Sequence, residues 1–363
     1  MEDIKEKEKS IREENPKRKR FSLGRNWVIS LFIFFSLFSF IVGYLYYQIF
    51  SAQLDLDKNK ETYVYIKSSD NFDQVMSHLA EKKMISHPII FEWLAKFSGY
   101  PKKIRPGKYK ISAEMNVMQL LRSLKSGRQE AVRIAIENIR TKEQLAGKVA
   151  AKIEADSMGI LSILRDPAEM AKYNLDSNSS IGLFIPDTYE FYWATDPRAF
   201  IKKMSREFEK FWNKSRKEKA QALQLKPSEV MTLASIIQLE SNDKSEWPVI
   251  AGVYLNRLRI GMKLQADPTV VFANGNFKLR RIRGVLDTNS PYNTYLNPGL
   301  PPGPIYMPSK ACIDSTLNPQ QHNFIFFCAN AQKPGTHIFA QTWFEHKLNA
   351  LNYQRYLDNR GIN

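Results

Sequence analysis

The first strong pattern along the chain is an unbroken apolar run. Residues 26–54 carry no charge, and residues 27–50 (WVISLFIFFSLFSFIVGYLYYQIF) are apolar apart from Ser30, Ser36, Ser39 and Gln48. Crossing a bilayer takes about 20 such residues, so this run predicts a transmembrane helix. Trp27 at one end and Tyr44, Tyr46 and Tyr47 at the other fit aromatic anchors at the two membrane surfaces. A cleaved signal peptide is the competing reading. Its apolar stretch would be about 7–15 residues with a small-residue cleavage site, and the run here is longer and leads into Ser51-Ala52-Gln53. Beyond a charged linker at 55–61, residues 62–68 alternate like a strand, and 71–81 and 87–97 place apolar residues at helical spacing. A short strand is expected at 107–111, and a helix at 117–124 that Gly127 ends. The order strand, helix, helix, strand, helix predicts a compact α+β module over 62–127. A strand at 131–136 and a helix at 141–153 follow.

In the second half, residues 185–191 (IPDTYEF) predict a turn entering a strand. The run 227–240 (PSEVMTLASIIQLE) predicts a helix. Pro227 suits its first turn, and Val230, Leu233, Ala234 and Ile237 share one face. A polar break at 241–245 separates it from a second helix, 247–260, closed by Gly261. Short segments rich in Asn, Gly and Pro come next, including SPYNTY (290–295) and GLPPGPI (299–305), and these are expected on the surface or on a cleft wall.

Charge narrows the setting. The chain holds 53 Lys+Arg against 37 Asp+Glu, a net +16, which suits an anionic environment: nucleic acid, membrane surface or carboxylate-rich bacterial wall. The basic cluster Lys17-Arg18-Lys19-Arg20 stands just before the apolar run and belongs on the cytoplasmic side by the positive-inside rule. Everything after residue 54 is then outside the cytoplasm, which removes nucleic acid as a partner. The first 25 residues hold nine Lys/Arg and six Asp/Glu, so +13 falls to the remainder. Two cysteines, Cys312 and Cys328, make no disulfide framework, and whether they pair is left open.

Among candidate chemistries, metal binding is poorly supported, because His322, His337 and His346 form no H-x-x-x-H pair and no close Cys/His cluster exists. No cofactor is expected. A serine nucleophile lacks its G-x-S-x-G elbow. Glu240 stands out: it ends an apolar helical stretch at the border of a polar loop. A carboxyl against apolar surface holds its proton more tightly and can serve as a general acid near neutral pH. The bland alternative is a helix-terminal glutamate in water.

Five blocks, in order, resemble the endolytic murein transglycosylases of the YceG-like family: IPDTYEF (185–191), LASIIQLES (233–241), AGVYLNRLRIGMKLQADPTVVFA (251–273), SPYNTYLNPGLPPGPI (290–305) and HIF followed by His346 (337–346). The resemblance implies a cytoplasmic tail (1–26), a transmembrane helix (27–50), a LysM-like module (62–127) and an α+β catalytic domain (128–363). It implies cleavage of the β-1,4 bond between N-acetylmuramic acid and N-acetylglucosamine without water, giving 1,6-anhydro ends, with Glu240 as the single acid/base. Peptidoglycan strands, the membrane and, by the same resemblance, wall synthases are the expected partners. Asn256, Arg257, Gln265, Asp267, Tyr292 and Asn293 lie in the matched blocks and are candidate sugar contacts, amides and phenols suiting hydroxyls and N-acetyl groups. Loop or cap hydrogen bonding is the alternative for each. Two rivals stand beside this reading: a non-catalytic wall-binding scaffold, and a muramidase using water with Asp243, Glu246 or Asp267 as second carboxyl. Two positions depart from the family pattern. Gln238 stands where many relatives have a second glutamate, and Ile181, just ahead of Gly182 and the first block, where many have another.

Overall fold

The structure, a computed structural model, describes residues 25–50, 54, 61–85, 87–279, 282 and 284–361. The basic cluster 17–20 and most of the linker 55–61 lie outside the described residues. The contacts divide the chain into two compact units.

One unit comprises the described residues up to Thr62 together with Phe72–Lys103 and Ile111–Lys125. It opens with α1 (Arg25–Phe50), in which Asn26–Tyr47 is long and apolar enough to cross a membrane. Three short amphipathic helices follow: α2 (Phe72–Glu81), α3 (Pro88–Phe97) and α4 (Val117–Ser126). Their spacing sets what they bury. Val75 and Leu79 face inward from α2, Phe91, Leu94 and Ala95 from α3, and Val117, Leu120, Leu121 and Leu124 from α4. The side-chain amide of Asn116, just before α4, donates to the Phe50 carbonyl at 3.1 Å.

The other unit takes Tyr63–Asn71, Ile104–Lys110 and the described residues from Ser126 onward. Strands β1 (Thr62–Ile66) and β2 (Gly107–Ile111) pair with each other, and most of their residues group with this unit. Two hydrophobic cores fill the rest. The first gathers on β3 (Ala131–Ile136) and β4 (Asp187–Tyr192), an antiparallel pair running from Ala131 opposite Tyr192 to Ile136 opposite Asp187. Alternation turns Ile134, Ile136, Tyr189 and Phe191 inward. They meet α5 (Lys142–Ala150), α6 (Ser157–Arg165), α7 (Pro167–Ala171) and α8 (Pro197–Phe211), most of whose buried apolar residues join the same cluster, while Phe211 belongs to the second core.

The second core surrounds α10 (Pro227–Glu240), which follows α9 (Lys214–Ala222). The expectation of one apolar face on α10 is corrected here. Every residue from Val230 to Ile237 is buried, because α11 (Trp247–Arg259), α12 (Asp267–Asn274) and α13 (Lys310–Thr316) all pack against it. Its polar positions are satisfied locally. The Thr232 hydroxyl donates to the Ser228 carbonyl, and that of Ser235 donates to Thr232 O while accepting from Ile305 N. Gly261, at φ +67°, takes the left-handed conformation that ends α11. The Asn/Gly/Pro-rich stretch contains α12 and α13, and beyond it stand the hairpin β5 (Phe326–Ala329) with β6 (His337–Ala340) and the exposed α14 (Trp343–Asp358). Cys312 and Cys328 are free thiols, the former buried.

Candidate active site

Glu240 is the last residue of α10, the helix around which the second core gathers, and its carboxyl meets Tyr254 on α11. Burial is the main influence on the carboxyl, raising its pKa from 4.5 to about 8. The Tyr254 hydroxyl opposes this by donating to Oε1 at 2.7 Å, Asp267 adds to the rise through its negative charge, and Arg257 counters it. Tyr254 is fully buried on α11, and burial together with Glu240 holds its phenol well above the usual range. The phenol therefore stays protonated and always donates. The arrangement suits a group that must be acid first and base afterwards. Enclosure keeps the proton on at neutral pH, and a donor stands ready to steady the anion once the proton has gone.

Asp267 begins α12 and accepts a hydrogen bond from the Tyr295 hydroxyl at 2.6 Å. Burial and then this bond push the Tyr295 phenol upward. Glu240, Tyr254, Arg257, Asp267 and Tyr295 thus form one electrostatic group, drawn from the ends of α10, α11 and α12 and from the SPYNTY loop.

The other residues singled out from sequence divide by how their polar atoms are used. Arg257 is buried; its Nε donates to Ile325 O at 2.7 Å and its Nη1 to Leu264 O at 2.5 Å, which leaves it a charge near Glu240 rather than a free hand for sugar. Asn256 turns elsewhere. Its amide donates to the carbonyls of His322 and Phe324, and it lines a separate cavity of about 420 Å³ with Gln224, Arg259 and His322. Asn293 is fully buried and its groups are spent inside the loop, donating to Leu286 O and Thr288 O and accepting from Tyr295 N. A side chain so enclosed shapes the loop. Gln265 is exposed, on a backbone at φ +47° whose N–H donates to Thr294 O. Tyr292 is half-buried, its ring 4.8 Å from that of Phe272, and burial raises its phenol to about 12.

Both departures from the family pattern have local explanations. Gln238 Oε1 accepts the Ser309 backbone N–H at 2.6 Å, fastening the start of α13. Ile181 sits in a short 3-10 turn and contributes to the first core. Of the rival second carboxyls, Asp243 is engaged by the Ser245 hydroxyl and backbone N–H, which hold its pKa low. Glu246 is buried against His337.

Sequence reasoning missed Tyr254 and Tyr295. Both stood inside the matched blocks, but nothing in their spacing said which side chain would cross the turn to Glu240.

The YceG-like family matches residues 64–352. The endolytic murein transglycosylase of Bacillus subtilis (strain 168) is 27% identical over 331 residues, covering 84% of this chain and 89% of that protein. The endolytic murein transglycosylase of Streptococcus pneumoniae (strain ATCC BAA-255 / R6) is 27% identical over 370 residues, covering 90% of this chain, and the chain spans 65% of that relative's length. Among solved structures, a YceG-like protein from Listeria monocytogenes aligns with a TM-score of 0.54 at 26% identity, covering 79% of this chain and 98% of that one.

Proposed function

The chain belongs to the YceG-like family, and on that premise we propose that it is a membrane-anchored endolytic murein transglycosylase with Glu240 as its acid/base. The observation that carries the reading is the enclosed Glu240 carboxyl, protonated near neutral pH and bonded to Tyr254. In the first step Glu240 gives its proton to the glycosidic oxygen as the bond to muramyl C1 breaks. The positive charge developing at C1 is then captured by the C6 hydroxyl of the same sugar. That hydroxyl forms the C6–O–C1 bridge and returns its proton to Glu240, now held as an anion by Tyr254. One carboxyl serves both steps because the second nucleophile belongs to the substrate, whereas hydrolysis ordinarily uses two.

Exposed Gln265 and Asp267 and half-buried Tyr292 are the side chains expected to meet sugar, with Arg257 and Asn293 holding the walls and Asn256 turned to a separate cavity. Asp267, near enough to raise the Glu240 pKa, is the one observation favouring a two-carboxylate hydrolase. Around the site we place the N-terminus in the cytoplasm, α1 across the membrane and the rest outside, with the LysM-like region 62–127 steadying nascent glycan beside wall synthases. The test is mass spectrometry of products from purified glycan strands. Anhydro ends that vanish in Glu240→Gln support the proposal, since acid–base help is worth roughly 10²–10⁴-fold. Reducing ends indicate hydrolysis, and no cleavage by the native protein indicates a scaffold.

A further inference from the structure

Glu240 is held at two points, its backbone and its carboxyl, and both lead to the same place. Ser241, the next residue, is buried; its hydroxyl donates to Glu246 Oε2 at 2.8 Å and its carbonyl accepts from Trp247 Nε1 at 3.0 Å. Glu246, itself buried, also accepts the His337 backbone N–H on Oε1 at 2.6 Å and His337 Nδ1 on Oε2 at 2.8 Å. A carboxylate only accepts, so Nδ1 carries the proton. His337 opens β6, and its ring meets the ring of Phe327 on β5 edge-on at 5.2 Å. Phe327 in turn meets Tyr254 edge-on at 5.9 Å, and Tyr254 donates to Glu240. The circuit Glu240, Ser241, Glu246, His337, Phe327, Tyr254 closes on itself.

We infer that Glu246 and His337 are positioning residues, a buried hydrogen-bonded lock that clamps the β5–β6 hairpin to the turn after Glu240 and so fixes the Tyr254 hydroxyl on the Glu240 carboxyl. The inference rests on Glu240 being the acid/base. It also gives Glu246 a task other than second carboxyl. Three donors already occupy its two oxygens, which leaves it poorly placed to activate water. Misplacement of a reacting group by about 1 Å can cost roughly 10²-fold, so a lock that sets this geometry should show in kcat.

The experiment uses the full chain in detergent, with glycan strands as substrate. Four variants are compared: His337→Ala, His337→Asn, Tyr254→Phe and the double variant His337→Ala/Tyr254→Phe. His337→Ala should lower kcat roughly 10- to 100-fold with KM unchanged. It should also move the alkaline limb of the pH–rate profile upward, because the Tyr254 bond that favours the Glu240 anion is loosened. Asp267, a further charge acting on Glu240, is untouched by the change; Arg257 is bonded to Ile325 O beside β5 and lowers the Glu240 pKa, so its loosening would move the limb the same way, and the double variant separates the two. His337→Asn keeps an N–H near the Nδ1 position and should restore both readouts. In the Tyr254→Phe background, adding His337→Ala should cost little more, since both act through one bond. If His337→Ala fails to fold, Glu246→Gln takes its place in the same comparison. An unmoved pH limb, additive losses in the double variant, or an Asn variant as impaired as Ala overturns the lock. Activity surviving in Glu240→Gln would instead overturn the acid/base assignment, so the two failures are separable.

Discussion

Replacing Glu240 by glutamine should change how stability depends on pH, independently of any substrate. The carboxyl has its pKa raised to about 8 by burial, against 4.5 when unperturbed. Between those values the folded protein keeps a proton that the unfolded chain has released. The folded state therefore binds more protons, and stability must fall as pH rises. The contribution is fully present below about 4.5 and is lost as pH passes through about 8. A gap of about 3.5 units at about 1.4 kcal/mol each sets a ceiling near 5 kcal/mol. Because the side chain keeps some exposure, screening by solvent brings the realistic figure to about 2–3 kcal/mol. Glutamine carries no charge to expel, so Glu240→Gln escapes this loss. For a unit of this size about 1 kcal/mol moves Tm by about 2–4 °C. The Tm of the variant, relative to the native protein, should climb by roughly 5–10 °C between pH 5 and pH 9. Calorimetry of both proteins in the same detergent across that range reads the difference directly. Parallel Tm curves would refute the argument, because they would mean that Glu240 already titrates as a glutamate in water.

Asp267→Asn removes a negative charge that raises the Glu240 pKa, so the alkaline limb of the pH–rate profile should move to lower pH; an unmoved limb would show that the two carboxyls do not communicate. A Cβ on Gly303 would collide with the Asn178 carbonyl, so Gly303→Ala should destabilise by about 1–3 kcal/mol in a thermal melt, and a neutral result would mean that backbone contact is slack. The full protein should stay in the membrane fraction at full mass, with residues beyond 54 open to protease only from outside. Recovery of a soluble form beginning near residue 52 would contradict the anchor.

Where pattern and environment coincide, the sequence was an accurate guide. The helix 227–240 and the strands 107–111 and 131–136 begin and end where periodicity and turn residues placed them. Glu240 was marked by its position at the end of an apolar stretch, and its enclosure follows from the same fact. Periodicity failed where an element is buried on all sides, since α10 has no polar face to define a period. It also failed in the Asn/Gly/Pro-rich region, where turn residues flank helices as short as Lys310–Thr316. Partners across space were the least legible. Glu246 and His337 are 91 residues apart, and nothing local to either marks them as a pair. Asn293 looked like a binding residue because it is polar and lies in a loop, but a buried asparagine in a turn is equally well explained by the backbone it satisfies.

The amide of Gln238 has a bearing on how this region can work over a range of pH. A latch placed two residues from a titrating carboxyl faces a hazard if it also titrates: each proton that carboxyl gains or loses would tug on the latch. Gln238 fastens Ser309 through a carbonyl oxygen that holds no ionisable proton. The approach to α13 therefore stays tethered whether Glu240 is neutral or charged, and the Glu240 proton can come and go without loosening the wall beside it. A carboxylate in that place would have lifted the Glu240 pKa still further by like-charge repulsion. Chemical quietness at 238 leaves the proton affinity of Glu240 to be set chiefly by burial and the Tyr254 bond.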